Sequence, residues 1–350
     1  MDERTGHPGK YEFNTYGDFE LVRTKIAAGI TALGCTSSQT FGLYSINQPE
    51  WVACEAACTR QNIVSVPLYD TLGPDAVEYI LNHAECVGVA CSKVVLHTLL
   101  NVIHRCETVK FVIVYGNENG PPGAIPAKTA NGRVTIKTFE EVLILGSAKP
   151  VAPVRAHEND VATICYTSGT TGAPKGVMLT HDNLCFGGQA SADLRQMSDK
   201  DLVYGVLPIT HVFGLASVVV AACAAGAAVR LEARFSAAKL FAALQDGVTL
   251  LSAVPQMHAL LMQYTAEQGL KALGSEKLRY VSSGAAPLDP SWKRKAEAFY
   301  GVALQNGYGM TETTAGVCAT KNPIGAADIS TGPALPGVEV KIGGETPAGC

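Results

Sequence analysis

Tyr166-Thr167-Ser168-Gly169-Thr170-Thr171-Gly172-Ala173-Pro174-Lys175-Gly176-Val177 is the stretch on which the reading of this chain turns. Its twelve residues hold three glycines, four aliphatic hydroxyls and one lysine. Glycine admits positive φ and leaves backbone N–H groups open to an incoming ligand. Successive outward N–H groups form an anion-binding concavity, and hydroxyls and a lysine add donors for the same phosphate oxygens. A solvated Ser/Thr/Gly linker would share this composition. Apolar residues at 161–165 and 177–179 flank it, which predicts a loop tethered between two strands. The Walker pattern ends in Gly-Lys-Ser/Thr. Here Lys175 follows Pro174 and precedes Gly176, so this is a phosphate loop of another kind.

Upstream, short β-rich runs alternate with helical ones, the pattern of an α/β fold. Strands are expected at 41–45, 63–67, 87–90 and 111–115, with helices at 49–60, from 74 through 83, and at 94–105. Pro49 and Pro74 stand at favourable first helical positions. Residues 116–132 are rich in Gly, Pro and Asn and read as a surface loop, and 150–153 as a stiff connector. Downstream, helices are expected at 182–195, 237–245 and 290–300, and strands at 202–207, 250–254, 278–282 and 302–305. Two helical segments are expected between the strands at 250 and 278. The fold class is therefore α/β, two doubly wound βαβ subdomains with expected limits of 1–149 and 150–350.

Asn306-Gly307-Tyr308-Gly309-Met310-Thr311-Glu312-Thr313 reads as a turn at the end of a short strand, where open α/β sheets bind ligands. Tyr308 offers a flat face for a purine, Thr311 a hydroxyl for a phosphate, and Glu312 a hard oxygen ligand for Mg²⁺. An ordinary glycine-rich turn with a solvated glutamate is the competing reading. Ser283-Gly284-Ala285-Ala286-Pro287-Leu288 follows another strand, and its small side chains would either admit a ligand to the backbone or merely save space. In Leu207-Pro208-Ile209-Thr210-His211-Val212-Phe213-Gly214, the histidine precedes an apolar run and serves either as a helix cap or as a substrate-orienting group. Arg234 is either a surface charge or a phosphate contact.

Composition narrows the classes further. The 350 residues are 47% hydrophobic and 17% charged, as befits a chain with a large buried interior. A net charge of −4 and the lack of any basic block argue against nucleic-acid binding. Eleven scattered cysteines show neither Cys-x-x-Cys pairs nor zinc spacing, which predicts buried thiols in a reduced, cytoplasmic setting. No secretory signal is read at the N-terminus. Residues 212–229 run eighteen positions without a charge, but Gly214, Gly226 and the alanines favour a buried helix and strand over a membrane span. Peripheral membrane association is left open.

The loop at 166–177 closely resembles the signature loop of the AMP-forming adenylating superfamily, which includes acyl- and aryl-CoA ligases, luciferases and peptide-synthetase adenylation domains. Residues 308–312 and 207–214 resemble two further motifs of that superfamily, Tyr-Gly-x-Thr-Glu and Leu-Pro-x-x-His-x-x-Gly. The resemblance implies that ATP is bound by Thr167, Ser168, Gly169, Thr170, Thr171, Gly172 and Lys175. It adds Gly284, Ala285, Ala286, Asn306, Gly307, Tyr308, Gly309 and Thr311 to the nucleotide site, and Thr167 and Glu312 as Mg²⁺ ligands. Lys175, His211, Thr311 and Glu312 become the catalytic set, His211 lying beside the carboxylate under activation, and Arg234 a contact for CoA.

Residues 44–51 and 67–74 are similar to stretches of long-chain fatty acid–CoA ligases, whereas later segments look more like shorter acyl- or aryl-CoA ligases. Val212-Phe213-Gly214-Leu215 lacks the carboxylate expected of an amino acid-activating domain. The implied activity is conversion of a carboxylic acid to acyl-AMP with release of pyrophosphate, then thioester formation with CoA. The resemblance ends near residue 342, without the ribose aspartate, hinge and lysine-bearing small domain that follow in the superfamily. The chain is expected to be a fragment of such an enzyme, or a non-catalytic nucleotide- or acyl-binding module.

Overall fold

The computed structural model describes residues 11–116, 125–129, 131–167 and 173–343. It opens with α1 (Tyr16–Ala32), β1 (Thr40–Ser45), α2 (Pro49–Arg60), β2 (Val64–Tyr69), α3 (Pro74–His83) and β3 (Gly88–Ser92). Then come α4 (Leu96–Val102), β4 (Phe111–Tyr115), β5 (Thr135–Thr138), α5 (Phe139–Ala148), β6 (Val161–Thr167) and β7 (Lys175–Thr180). These seven strands form one sheet in the order β5-β4-β3-β1-β2-β6-β7. All neighbours are parallel except β6 and β7, which form an antiparallel pair. Parallel strands covered on both faces read as unbroken apolar runs, and every residue of β3 and β4 is buried. One face packs Tyr44, Val66, Val89, Val112 and Val114 under Val77 and Ile80 of α3 and Leu99 of α4.

After α6 (His181–Leu194) and β8 (Leu202–Gly205), the chain makes a helical run of α7 (Val212–Gly214), a π-helical stretch (Leu215–Val220) and α8 (Ala221–Ala225). It continues through β9 (Ala228–Leu231), α9 (Ala237–Gln245), β10 (Leu250–Ala253), α10 (Pro255–Glu267), β11 (Tyr280–Ser283) and α11 (Pro290–Tyr300). It closes with β12 (Leu304–Met310), a short 3₁₀ turn (Thr311–Thr313) and β13 (Ala315–Ala319). The second sheet runs β13-β12-β11-β10-β8-β9, with only the β12–β13 pair shown to be antiparallel. The expected helix-then-strand reading of 212–229 holds. Among the described residues, no helix is long and apolar enough to cross a membrane.

Two expectations change. A single helix, α10, lies between β10 and β11, where two helical segments were expected. The glycine-rich octet at 306–313 is not a turn ending a strand: β12 runs through Met310 and pairs with β13. The described chain also divides into two compact units. One comprises the chain up to Cys185 with Gly205–Leu215 and Arg230–Arg234; the other comprises Phe186–Tyr204, Ala216–Val229 and the chain from Phe235. The β6–β7 hairpin belongs to the first sheet, because β6 pairs with β2.

In the second unit, His258 of α10 is wholly buried. Its Nε2 lies 3.2 Å from the Ser282 carbonyl, which can only accept, so Nε2 carries the proton and Nδ1 accepts from the Tyr300 hydroxyl at 2.8 Å. Burial lowers its pKa to about 4. A histidine depressed in the folded state resists protonation there, so stability is intact above about pH 6.5 and falls on acidification. The expected loss is roughly 1.4 kcal/mol for each pH unit until the folded pKa is reached. Urea unfolding as a function of pH checks this: His258→Gln should flatten the slope, and an unchanged slope would contradict it.

Candidate active site

The β6–β7 hairpin is anchored in register. Cys165 pairs with Val177, Tyr166 with Gly176 and Thr167 with Lys175, so the two stems of the loop are held side by side. Thr167 is half-buried at the end of β6, and Lys175 stands exposed at the start of β7. Lys175 makes no ion pair among the described residues. Ser168, Gly169, Thr170, Thr171 and Gly172 lie outside the described residues.

The segment around His211 leaves the carboxyl end of β8. His211 is the N-cap of α7: its Nδ1 accepts the Phe213 N–H at 3.0 Å. That bond places the imidazole proton on Nε2, leaving an N–H donor on the opposite side of the ring. Burial lowers the histidine's pKa, so the ring is neutral near pH 7. The capping and orienting readings are thus compatible, since the cap fixes the tautomer that orienting a carboxylate needs. Tyr69 lies against the ring at 6.4 Å between centroids.

Sequence reasoning missed the residue that holds this segment. Buried Asn47 donates to the carbonyls of Leu207 at 2.9 Å and Glu232 at 3.3 Å, and its Oδ1 accepts from Ile209 N–H at 2.9 Å. Such a residue, 160 positions away along the chain from Leu207, has no local signal. Arg234 is a solvent-exposed side chain paired with Asp70 at 2.9 Å. Exposed pairs of this kind contribute about 0–1 kcal/mol, leaving the guanidinium exchangeable.

In the second unit, the end of β11 lies beside the interior of β12, because Ser283 pairs with Asn306. Gly284 is buried, whereas Ala285 and Ala286 are exposed just beyond β11. Ala285 has φ of 65°, a left-handed conformation that a residue with a Cβ adopts only under constraint. Asn306 spends its amide donors on the carbonyls of Ile329 at 3.2 Å and Ser330 at 2.9 Å, so it braces the neighbouring loop.

Gly307 and Gly309 belong to the β12–β13 hairpin. At Gly309 a Cβ would lie 1.4 Å from the Ala315 carbonyl oxygen, so only glycine fits. Tyr308 is half-exposed with its hydroxyl near the Met310 sulfur at 3.6 Å. Thr311 is buried, and Glu312 beside it is exposed, with no ion pair among the described residues. Among those residues no group of three or more His, Cys, Asp or Glu side chains could hold a metal. A single carboxylate still suits Mg²⁺ brought in with a nucleotide, since that ion keeps its waters and binds phosphate oxygens. An exposed Glu312 carboxylate, without an ion pair among the described residues, fits that requirement.

The fold is that of an α/β protein, with Thr167 and Lys175 on one hairpin, Thr311 and Glu312 on a 3₁₀ turn, and a neutral histidine capping α7. The chain belongs to the family described as AMP-binding enzyme, whose model matches residues 3–349. It is 32% identical to the peroxisomal long chain acyl-CoA synthetase 7 of Arabidopsis thaliana, over 90% of this chain and 50% of that protein. It is 28% identical to the peroxisomal acyl-CoA ligase 891 of Penicillium brevicompactum, over 92% of this chain and 53% of that one. The chain spans about half the length of these curated relatives. Among solved structures it is similar to a long-chain-fatty-acid-CoA ligase, FadD1, from Archaeoglobus fulgidus. That match has a TM-score of 0.78 and 25% identity, covering 95% of this chain and 64% of the other. The anthranilate CoA ligase AuaEII in complex with anthranoyl-AMP shares the fold, with a TM-score of 0.78, 19% identity, and coverage of 92% and 59%.

Proposed function

We propose that this chain carries the ATP- and acid-binding part of an AMP-forming acid–thiol ligase, and that its acid is a long-chain fatty acid. The observation that carries the reading is the anchored hairpin that brings Thr167 and Lys175 into register at the stems of the Ser/Thr/Gly loop. The long chain acyl-CoA synthetases among its relatives support the choice of acid.

In the proposed reaction a carboxylate oxygen attacks the α-phosphorus of ATP. The bond to the bridging oxygen breaks, pyrophosphate leaves, and acyl-AMP forms. A thiolate, that of CoA, then attacks the acyl carbon and AMP departs with the carboxyl oxygen. Charge neutralisation and in-line positioning are the main demands. Lys175 neutralises charge on the phosphates, and Thr167 with residues 168–172 supplies hydroxyl and amide donors. Glu312, with Thr167, would hold Mg²⁺, which when bound supplies further neutralisation of phosphate charge. Neutral His211 presents its Nε2–H to the acid, and Tyr308 a face to the adenine. Arg234 is proposed to exchange Asp70 for a CoA phosphate. ATP, CoA and the acid are the expected small-molecule partners.

Acid-dependent ATP–pyrophosphate exchange tests the reading, with palmitate, benzoate and malonate as the acids. Exchange strongest with palmitate is expected. A maximum with benzoate would overturn the fatty-acid assignment, and nucleotide binding without exchange on any acid would favour a binding module.

A further inference from the structure

We infer that Tyr79 and His83 of α3 form a clamp that sets the geometry of the phosphate-loop stems, making them positioning residues for the nucleotide phosphates. The inference rests on the reading of 166–177 as the ATP loop.

The clamp touches both stems. Tyr166, the last residue but one of β6, has its hydroxyl 2.6 Å from His83 Nδ1. On the other stem, the Tyr79 hydroxyl donates to the Pro174 carbonyl at 3.2 Å, immediately before Lys175. Tyr79 and His83 are one helical turn apart and stack on each other, with centroids 5.3 Å apart and planes at 15°. The two grips therefore move as one. His83 also meets the Tyr166 ring edge-on at 5.8 Å.

The strand partner completes the arrangement. Tyr166 pairs with Gly176, where a Cβ would stand 3.2 Å from the tyrosine Cζ and 2.7 Å from the Ile164 side chain. Glycine there lets the buried Tyr166 ring lie flat across β7. The phenol pKa is raised to about 12 by burial, so its proton stays on, and the His83 tautomer decides which of the two groups donates. Tyr166 is buried, Tyr79 half-buried and His83 exposed, and none of the three is proposed to touch the phosphates itself. Their placement bears instead on where Thr167 and Lys175, the next residues along each stem, project.

The test compares the whole chain with Tyr79→Phe and His83→Gln. Tyr79→Phe removes one oxygen and keeps the stack, and His83→Gln keeps a hydrogen-bonding atom within reach of the phenol. Calorimetric titrations with ATP and with adenosine, and thermal unfolding, supply the readouts. The clamp predicts about threefold to tenfold weaker ATP binding in Tyr79→Phe, for loss of one hydrogen bond of about 1 kcal/mol. Adenosine affinity should be unchanged, and His83→Gln should retain more ATP affinity than His83→Ala. Equal losses for ATP and adenosine, tracking a lowered unfolding temperature, would overturn the inference and leave a structural role. Unchanged ATP affinity would also overturn it. If the unsubstituted chain binds no ATP, the reading of the loop itself fails, an outcome distinct from either.

Discussion

Glu312→Ala is expected to slow acid-dependent ATP–pyrophosphate exchange on the order of 10²-fold, without moving the unfolding midpoint. The carboxylate is exposed, on a 3₁₀ turn, and has no ion pair among the described residues, so the native fold loses nothing when it goes. On the proposed reading, what would be lost is a hard oxygen ligand where phosphate charge develops. Glu312→Gln keeps the shape and removes the charge, and should lose nearly as much. Glu312→Asp should retain more, and excess magnesium should partly restore it. A glutamine variant with undiminished exchange would remove Glu312 from the metal site.

The largest effect on stability is expected at Glu297. Its carboxylate and Lys293 form an ion pair at 2.9 Å, both side chains at most 3% exposed. Each also holds backbone. Lys293 donates to the Ala326 carbonyl at 2.7 Å, and Glu297 accepts from the amides of Leu304 and Gly325, each at 3.0 Å. Burial alone would raise the carboxyl's pKa, but Lys293 and those amides outweigh it and leave it lowered.

Glu297→Ala strands a buried ammonium and two amides, and should cost about 3–5 kcal/mol, read as a fall in denaturant midpoint. Glu297→Gln, which keeps an oxygen for one amide, should cost less. A loss under about 1 kcal/mol for the alanine variant would show the pair is solvated. Because α11, β12 and the loop at 325–326 meet at this pair, Glu297→Ala should also loosen the start of the strand that carries Tyr308.

How much of this was legible beforehand depended on the range of the interaction. β4, α9 and α11 were readable to the residue, because apolar runs, prolines and caps are local signals. The helices α1 and α5 were not drawn from the sequence, although each carries a capping box, Thr15 with Asp18 and Thr138 with Glu141. The Thr-x-x-Glu spacing at 138–141 was the cue that could have found α5. β12 was cut short because Gly307 and Gly309 look like turn residues; their reason is the close approach of β13. The site followed the same rule. Thr167, Lys175, His211 and Glu312 are candidates because they lie in motifs, whereas Asn47, Tyr79 and His83 act through contacts 83 or more residues away.

The most direct test of the central claim is calorimetric titration of the unsubstituted chain with a non-hydrolysable acyl-adenylate mimic. A long-chain mimic should bind at one site, with Lys175→Ala weakening it by about tenfold or more, as loss of a charge-assisted phosphate contact implies. No binding, or binding indifferent to Lys175, would contradict the assignment of the 166–177 loop to an adenylate-forming site.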